Sequence, residues 1–288
     1  MAEIFDGFGK DITIQFGFSL REIGKQFSRY IKYDIAHVIR IILIGCSQLF
    51  LLVEQYIQRL GGIPVQADVT SDGDVQKLVD LIIQKEGKID VLWNNAGYAL
   101  YGAVEDVPLE EARRQFEVNL FGLANVTQKV LPHMRKAKSG TIINTSSVTG
   151  RVYLPIGAWY FASKHVVEGW SDCLRLELKE FNINVVLLEP GAIATEFGDV
   201  ALEPLTKYSG KGAYSRLANV MVNGMKAAYQ KPGGAAPTSI ISDAILKIVE
   251  SDKPKFRYLV GKDAKMMVRL RKFLGDKLFD KVIMSQLK

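Results

Sequence analysis

From about residue 63 to residue 190 the chain alternates short apolar runs with segments of helical length and period, a pattern that leaves few architectures open. A strand-like run at 63–67 ends in Asp68-Val69-Thr70, and a helix-like segment at 75–85 leads to a second run at 89–93. A helix over about 109–131, stopped near Pro132, precedes a strand at 141–145. A further helix over about 158–180 precedes a strand at 184–188. Strands separated by single helices pair in parallel through right-handed crossovers, so the pattern predicts a doubly wound parallel α/β sheet of about seven strands. No repeat and no Ser/Gly/Pro-rich linker divides the chain, so residues 1–288 read as one domain. The 48% hydrophobic content is enough for its core.

In such a sheet a ligand lies beyond the carboxyl ends of the strands. Here those ends carry Asp68, Asn94-Asn95-Ala96-Gly97, Ser146-Ser147 and Pro190-Gly191. Any one of these is ordinary turn chemistry, but their recurrence at successive strand ends points to a site. Tyr160 and Lys164 are four apart, which puts both on one helix face with the lysine a turn later. A free tyrosine has a pKa near ~10, so proton transfer near neutrality needs a positive charge beside the phenol. Lys164 is placed to supply it. Ser147, at a strand end, would hold a substrate oxygen beside that phenol, and Asn119 would anchor a water in a proton path.

Taken together, Asp68-Val69-Thr70, Asn94-Asn95-Ala96-Gly97, Val118-Asn119, Ser147, Tyr160-Phe161-Ala162-Ser163-Lys164 and Pro190-Gly191-Ala192-Ile193-Ala194-Thr195 resemble the short-chain dehydrogenase/reductase family in order and spacing. The likeness is strongest over residues 61–197. It implies a Rossmann-like fold and a nicotinamide-dependent oxidoreductase of alcohols and carbonyls. Tyr160 would donate the proton to a carbonyl oxygen steadied by Ser147. Lys164 would also hold the nicotinamide ribose, and Asn119 would complete the relay. Asp68 and Val69 would meet the adenine, Asn95, Ala96 and Gly97 would line the adenosine side, and Ile193 and Thr195 would hold the carboxamide or a nearby phosphate.

The phosphate-binding turn departs from the family pattern. A dinucleotide site needs bare backbone N–H groups at a helix N-terminus. The best match, Gly17-Phe18-Ser19-Leu20-Arg21-Glu22-Ile23-Gly24, puts Arg21-Glu22 where the family has an open backbone. Gly17 and Gly24 are its cofactor-binding candidates. Gly45 opens a second candidate, but only 23 positions separate it from Asp68 (68 − 45), too few for a helix, a strand and another helix. NAD sites place an acid after the second strand, whereas a 2′-phosphate calls for a basic group. Residues 35–53 hold Arg40 and, beyond Asp34, no acid until Glu54, which favours NADP(H) while leaving NAD(H) open. The rival to the enzyme is a catalytically silent member, its dinucleotide excluded by the altered turn and its fold kept as a binding or scaffolding module.

Other features set the surroundings. The net charge of +6 is dispersed and no nucleic-acid motif accompanies it, so a phosphate-bearing cofactor suffices as the anion. Cys46 and Cys173 form no metal-type or redox-type pair, and MAEIFDGFGKD lacks the basic start and apolar core of a secretory signal, which together point to a cytoplasmic protein. Residues 197–238, with Phe197, Tyr208, Tyr214 and Tyr229, read as a mobile cover over a small apolar alcohol or ketone. Tyr98, Tyr101, Tyr153 and Trp159 are its candidate walls. The helix bearing Tyr160 also carries Val166, Val167, Trp170, Leu174 and Leu178, read as a face for homo-oligomer pairing. The amphipathic stretch 262–288 suits packing on its own domain or a partner subunit better than a membrane surface.

Overall fold

The computed structural model describes residues 41–44, 63–195, 197–230 and 234–287. They form β1 (Ile41–Ile44), β2 (Ile63–Gln66), α1 (Asp72–Glu86), β3 (Val91–Asn94), α2 (Leu109–Phe116), α3 (Leu123–Ala137), β4 (Gly140–Thr145), α4 (Ala158–Glu177) and β5 (Ile183–Pro190). Then follow α5 (Phe197–Ser209), α6 (Ser215–Gln230), α7 (Ser239–Val249), β6 (Arg257–Val260) and α8 (Lys262–Gln286). Strand pairing among the described residues is parallel throughout, β1 with β2 and β3-β4-β5-β6 in that order. The Gly17 to Gly24 turn, Arg40 and Cys46 lie outside the described residues.

Successive strand residues point to opposite faces, and both faces are covered. Ile142 and Val185 pack with Val75, Val79, Val126, Val130 and Leu174 of α1, α3 and α4. Their neighbours Ile143 and Val186, with Leu188, pack against Ile241, Ile245 and Ile248 of α7. This two-sided burial makes the sheet doubly wound. Local chemistry sets the boundaries: Ser71 caps α1 by accepting from Asp74 N at 3.3 Å, and Gly87, at φ 73°, ends it in the left-handed region.

Two features correct the sequence expectations. Pro132 does not stop its helix; α3 runs on to Ala137 and closes on a left-handed Lys138. An interior proline costs about 3 kcal/mol, and full burial of Met134 two residues beyond offsets most of it. Residues 197–238 contain two helices, α5 and α6, packed on each other and on the core. Of the face expected to pair subunits, Val167, Leu174 and Leu178 are buried inside this chain, leaving Val166 exposed.

Beyond these, β6 and α7 complete the sheet in a region whose sequence pattern was silent. α8, interrupted at Gly275 (φ 64°, ψ −179°), packs on its own chain through the buried Ala264, Phe279 and Ile283. No helix among the described residues is long and apolar enough to cross a membrane.

Candidate active site

Because the strands are parallel, the residues following β2, β3, β4 and β5 emerge at carboxyl ends, where open sheets of this kind bind ligands. Above them α4 turns a polar stripe inward: Tyr160, Ser163, Lys164, Glu168 and Ser171 are all buried, at the spacing of one helix face. Buried polar groups must find partners, and most of these find them on strand ends.

Tyr160 is only 4% exposed. The rings of Tyr101 and Phe197 lie 5.7 and 5.9 Å from its own, so the loop after β3 and the first residue of α5 both wall the phenol. Burial raises its pKa above the ordinary tyrosine value, while the Ser147 and Thr149 hydroxyls beside it pull it down. Ser147 sits where β4 gives way to a 3₁₀ turn at Val148–Gly150. Its Oγ accepts from Thr149 N at 3.1 Å and donates to Pro190 O at 3.4 Å. That bond joins the ends of β4 and β5.

Lys164 donates from Nζ to Thr145 O at 2.9 Å. Loss of water lowers its pKa to about 8, and the charge of Glu168 resists that fall. Asn119 lies in a π-helical turn, Glu117–Gly122, between α2 and α3. Its Oδ1 accepts from Tyr98 N at 3.1 Å, and its Nδ2 donates to Tyr98 O and to Ser163 Oγ, both at 3.0 Å. The amide is therefore spent on tying the loop after β3 to α4. A water held at Asn119 would rest on its main chain, where a π turn loosens the helical ladder. A methyl group on Gly97 would fall 3.0 Å from Asn119 Oδ1 and 3.7 Å from Lys164 Nζ, so this glycine backbone meets both.

The remaining expected residues occupy the same strand ends with differing duties. Asp68 Oδ1 accepts from Thr70 N and Thr70 Oγ1, both at 2.8 Å, holding the turn after β2. The Val69 side chain is buried, and a Cβ on Gly122 would collide with it, so it is spent on packing under the start of α3. Asn95 Oδ1 accepts from Thr145 Oγ1 at 3.0 Å, and Ala96 packs on the core below. Ile193 bridges to Ala236, and Thr195 Oγ1 accepts from Phe197 N at 3.3 Å at the start of α5. Gly191 packs closely on Asp263, whose carboxylate a Cβ there would displace, and Asp263 Oδ2 accepts from Ala192 N at 2.9 Å. Tyr98 and Trp159 border a separate apolar cluster, and Tyr153 packs edge-on against Phe279, so of the four expected walls Tyr101 alone stacks near Tyr160.

Two polar networks escaped the sequence reading. Asn94 Nδ2 donates to Asn144 Oδ1 at 2.8 Å and to Thr127 Oγ1 at 3.0 Å, and Asn144 Nδ2 donates to Ser171 Oγ at 2.9 Å. Asn94 and Asn144 are register partners on β3 and β4, a relation that needs the pairing to be known. The second network joins Glu168, Glu189, Arg151 and Arg257. Its one visible signal was a glutamate inside the apolar strand Val-Val-Leu-Leu-Glu-Pro.

The residues present suit a nucleotide. Lys164 commits one of its three donors to Thr145, Gly97 leaves backbone bare beside it, and small or polar residues follow each neighbouring strand. A parallel sheet covered on both faces, with a buried tyrosine, serine and lysine at strand carboxyl ends, defines an α/β oxidoreductase of the nicotinamide-dependent class. A family model described as short chain dehydrogenase matches residues 23–204, and the chain belongs to that family of NAD(P)(H)-dependent oxidoreductases. It is 36% identical over 216 residues to the probable short-chain type dehydrogenase/reductase VdlC of Helicobacter pylori, covering 75% of this chain and 78% of the relative. It is 38% identical over 195 residues to 3-ketodihydrosphingosine reductase of Bacteroides thetaiotaomicron, covering 67% and 71%. A short-chain dehydrogenase structure from Streptomyces avermitilis superposes with a TM-score of 0.68 at 27% identity, over 92% of this chain and 91% of that one.

Proposed function

We propose that the protein interconverts a ketone and a secondary alcohol with NADP(H), NAD(H) being the second choice, and that Tyr160 is its general acid/base. The observation that carries this reading is the convergence of the Tyr160 phenol, the Ser147 hydroxyl and the Lys164 ammonium on the ends of β4 and β5. In reduction, Tyr160 gives its proton to the carbonyl oxygen, and Ser147 holds that oxygen as negative charge develops. When bound, the reduced nicotinamide supplies the hydride to the carbonyl carbon. Lys164 lowers the cost of phenolate and binds the ribose, and Asn119 keeps the loop after β3 in register with α4 while its main chain serves the proton relay. Asp68, Val69, Asn95, Ala96, Gly97, Ile193 and Thr195, with Gly17 and Gly24, form the cofactor side.

Residues 1–288 act as one domain, in which 197–238 cover the substrate. The rings of Tyr101 and Phe197 over Tyr160 suit a small apolar ketone, and the likeness to a reductase of 3-ketodihydrosphingosine supports a ketone as the reducible group. The NADP(H) preference rests on Arg40 and on the lack of an acid between Asp34 and Glu54. A cytoplasmic homo-oligomer is the working state. Steady-state reduction of a panel of apolar ketones with NADPH tests the reading. Turnover of at least one is expected, whereas failure to bind either cofactor in direct titration would transfer the case to a silent scaffold.

A further inference from the structure

We infer that the outer face of α8, ahead of its break at Gly275, docks the chain on an anionic lipid bilayer. The exposed residues of that part of the helix are Lys262, Lys265, Met266, Arg269, Lys272 and Phe273. At 3.6 residues per turn they fall within about a third of the helix circumference, so they form one stripe. Phe273 is 81% exposed and Met266 63%, so folding leaves both apolar side chains largely in water. A lone exposed apolar residue is ordinary, but a pair two turns apart on a cationic stripe marks a contact surface.

The acids of α8 are engaged elsewhere. Asp263 accepts from Ala192 N, Asp276 pairs with Arg271, and Asp280 accepts from the Tyr153 hydroxyl at 2.9 Å. Lys262, Lys265, Arg269 and Lys272 make no ion pair among the described residues. An uncompensated cationic stripe calls for an anionic partner, and like charges oppose a second copy laid on the same stripe. The surface is convex, so Phe273 and Met266 need a partner that yields around them. A bilayer does so, taking the apolar side chains between its headgroups while the longer lysine and arginine stems reach the phosphates. No helix among the described residues can cross a membrane, so the contact is peripheral. The opposite face of α8, with Met267, Val268, Leu270 and Leu274, packs into the apolar cluster that holds Tyr101 and Tyr160. Docking therefore sets one helix between that cluster and the lipid.

The test is co-sedimentation of the full chain with vesicles of phosphatidylcholine alone and of phosphatidylcholine with equimolar phosphatidylglycerol. Binding to the anionic vesicles alone is expected, and it should fall as salt rises. Each cation at an anionic surface strengthens binding by about fivefold, so Lys265→Gln combined with Arg269→Gln should weaken it by about 25-fold. Phe273→Ser should weaken it by about tenfold through lost insertion. These side chains are exposed in the free chain, so both variants should keep the parent's melting temperature. Absence of binding to the anionic vesicles, or equal binding to both kinds, overturns the proposal. Undiminished binding by Phe273→Ser overturns it too, because the stripe is then a polyanion site of the kind a nucleic acid or an acidic protein would use. Light scattering without vesicles checks the remaining occupant: a variant that dissociates the parent's assembly makes the stripe a subunit interface, and the lipid proposal fails. None of these measurements involves turnover, so their outcome is independent of the role given to Tyr160.

Discussion

Replacing Tyr160 by phenylalanine removes a single oxygen and keeps the ring, so it separates chemistry from packing. The ring is held by Tyr101 and Phe197 at 5.7 and 5.9 Å, and those contacts survive the change. What disappears is a buried hydroxyl facing Ser147 and Thr149, worth about 1 kcal/mol of net stability. The melting temperature should therefore move by only a few degrees. Turnover should fall by roughly 10²- to 10⁴-fold, the usual contribution of a positioned general acid. Cofactor affinity, read by quenching or transfer of nicotinamide fluorescence, should stay within about twofold of the parent, because the ribose contact is assigned to Lys164. The assay is steady-state ketone reduction followed by loss of NADPH absorbance, paired with that titration. Near-parental turnover in Tyr160→Phe, on a substrate the parent reduces, would refute the mechanism. A parallel loss of cofactor binding would show instead that the phenol shapes the nucleotide site.

Lys164→Ala should lower turnover and weaken NADPH binding together, since one ammonium is assigned to the phenol and the ribose; a variant losing only turnover would remove the ribose contact from the scheme. NADPH should bind more tightly than NADH in paired titrations, and at about 100-fold above Kd it should stabilise the fold by about 2.7 kcal/mol; tighter NADH binding would reverse the assignment made from Arg40. Glu189 has a folded-state pKa of about 7 against an ordinary 4.5, so its contribution to stability is fully present below pH 4.5 and is lost as pH rises through 7. Between pH 5 and 8 the parent should therefore lose stability relative to Glu189→Gln, by at most about 3 kcal/mol, and parallel melting curves across that range would contradict the raised pKa of Glu189. Light scattering at micromolar concentration should show a dimer or tetramer, and a monomer would end the homo-oligomer reading.

Local patterns carried the class of this protein. The period of apolar residues marks strands and helices because each element must bury one face or stripe, and single helices between strands force parallel pairing. Once the strands are parallel, the residues at the ends of β2, β3, β4 and β5 must emerge on one side of the sheet, so the strand-end placement of Asp68, Asn95, Ser147 and Pro190 was legible from one dimension. The four-residue spacing of Tyr160 and Lys164 was legible for the same reason, since a helix face is a local property.

Contacts between distant segments were decided only by the tertiary structure. Pro132 reads as a helix stop locally, yet α3 passes through it because Met134 beyond gains a place in the core. Val167, Leu174 and Leu178 read as an outer pairing face, but the rotation of α4 against the sheet, which no periodicity reports, turns them inward. Asn94 meets Asn144 across 50 positions through strand register, and Arg257 reaches Glu168 across 89 because β6 lies beside β5. A sequence pattern states that a side chain must be buried; which partner makes its burial tolerable is settled when the strands come into register, and here that choice sets Glu168 and Glu189 against Arg257.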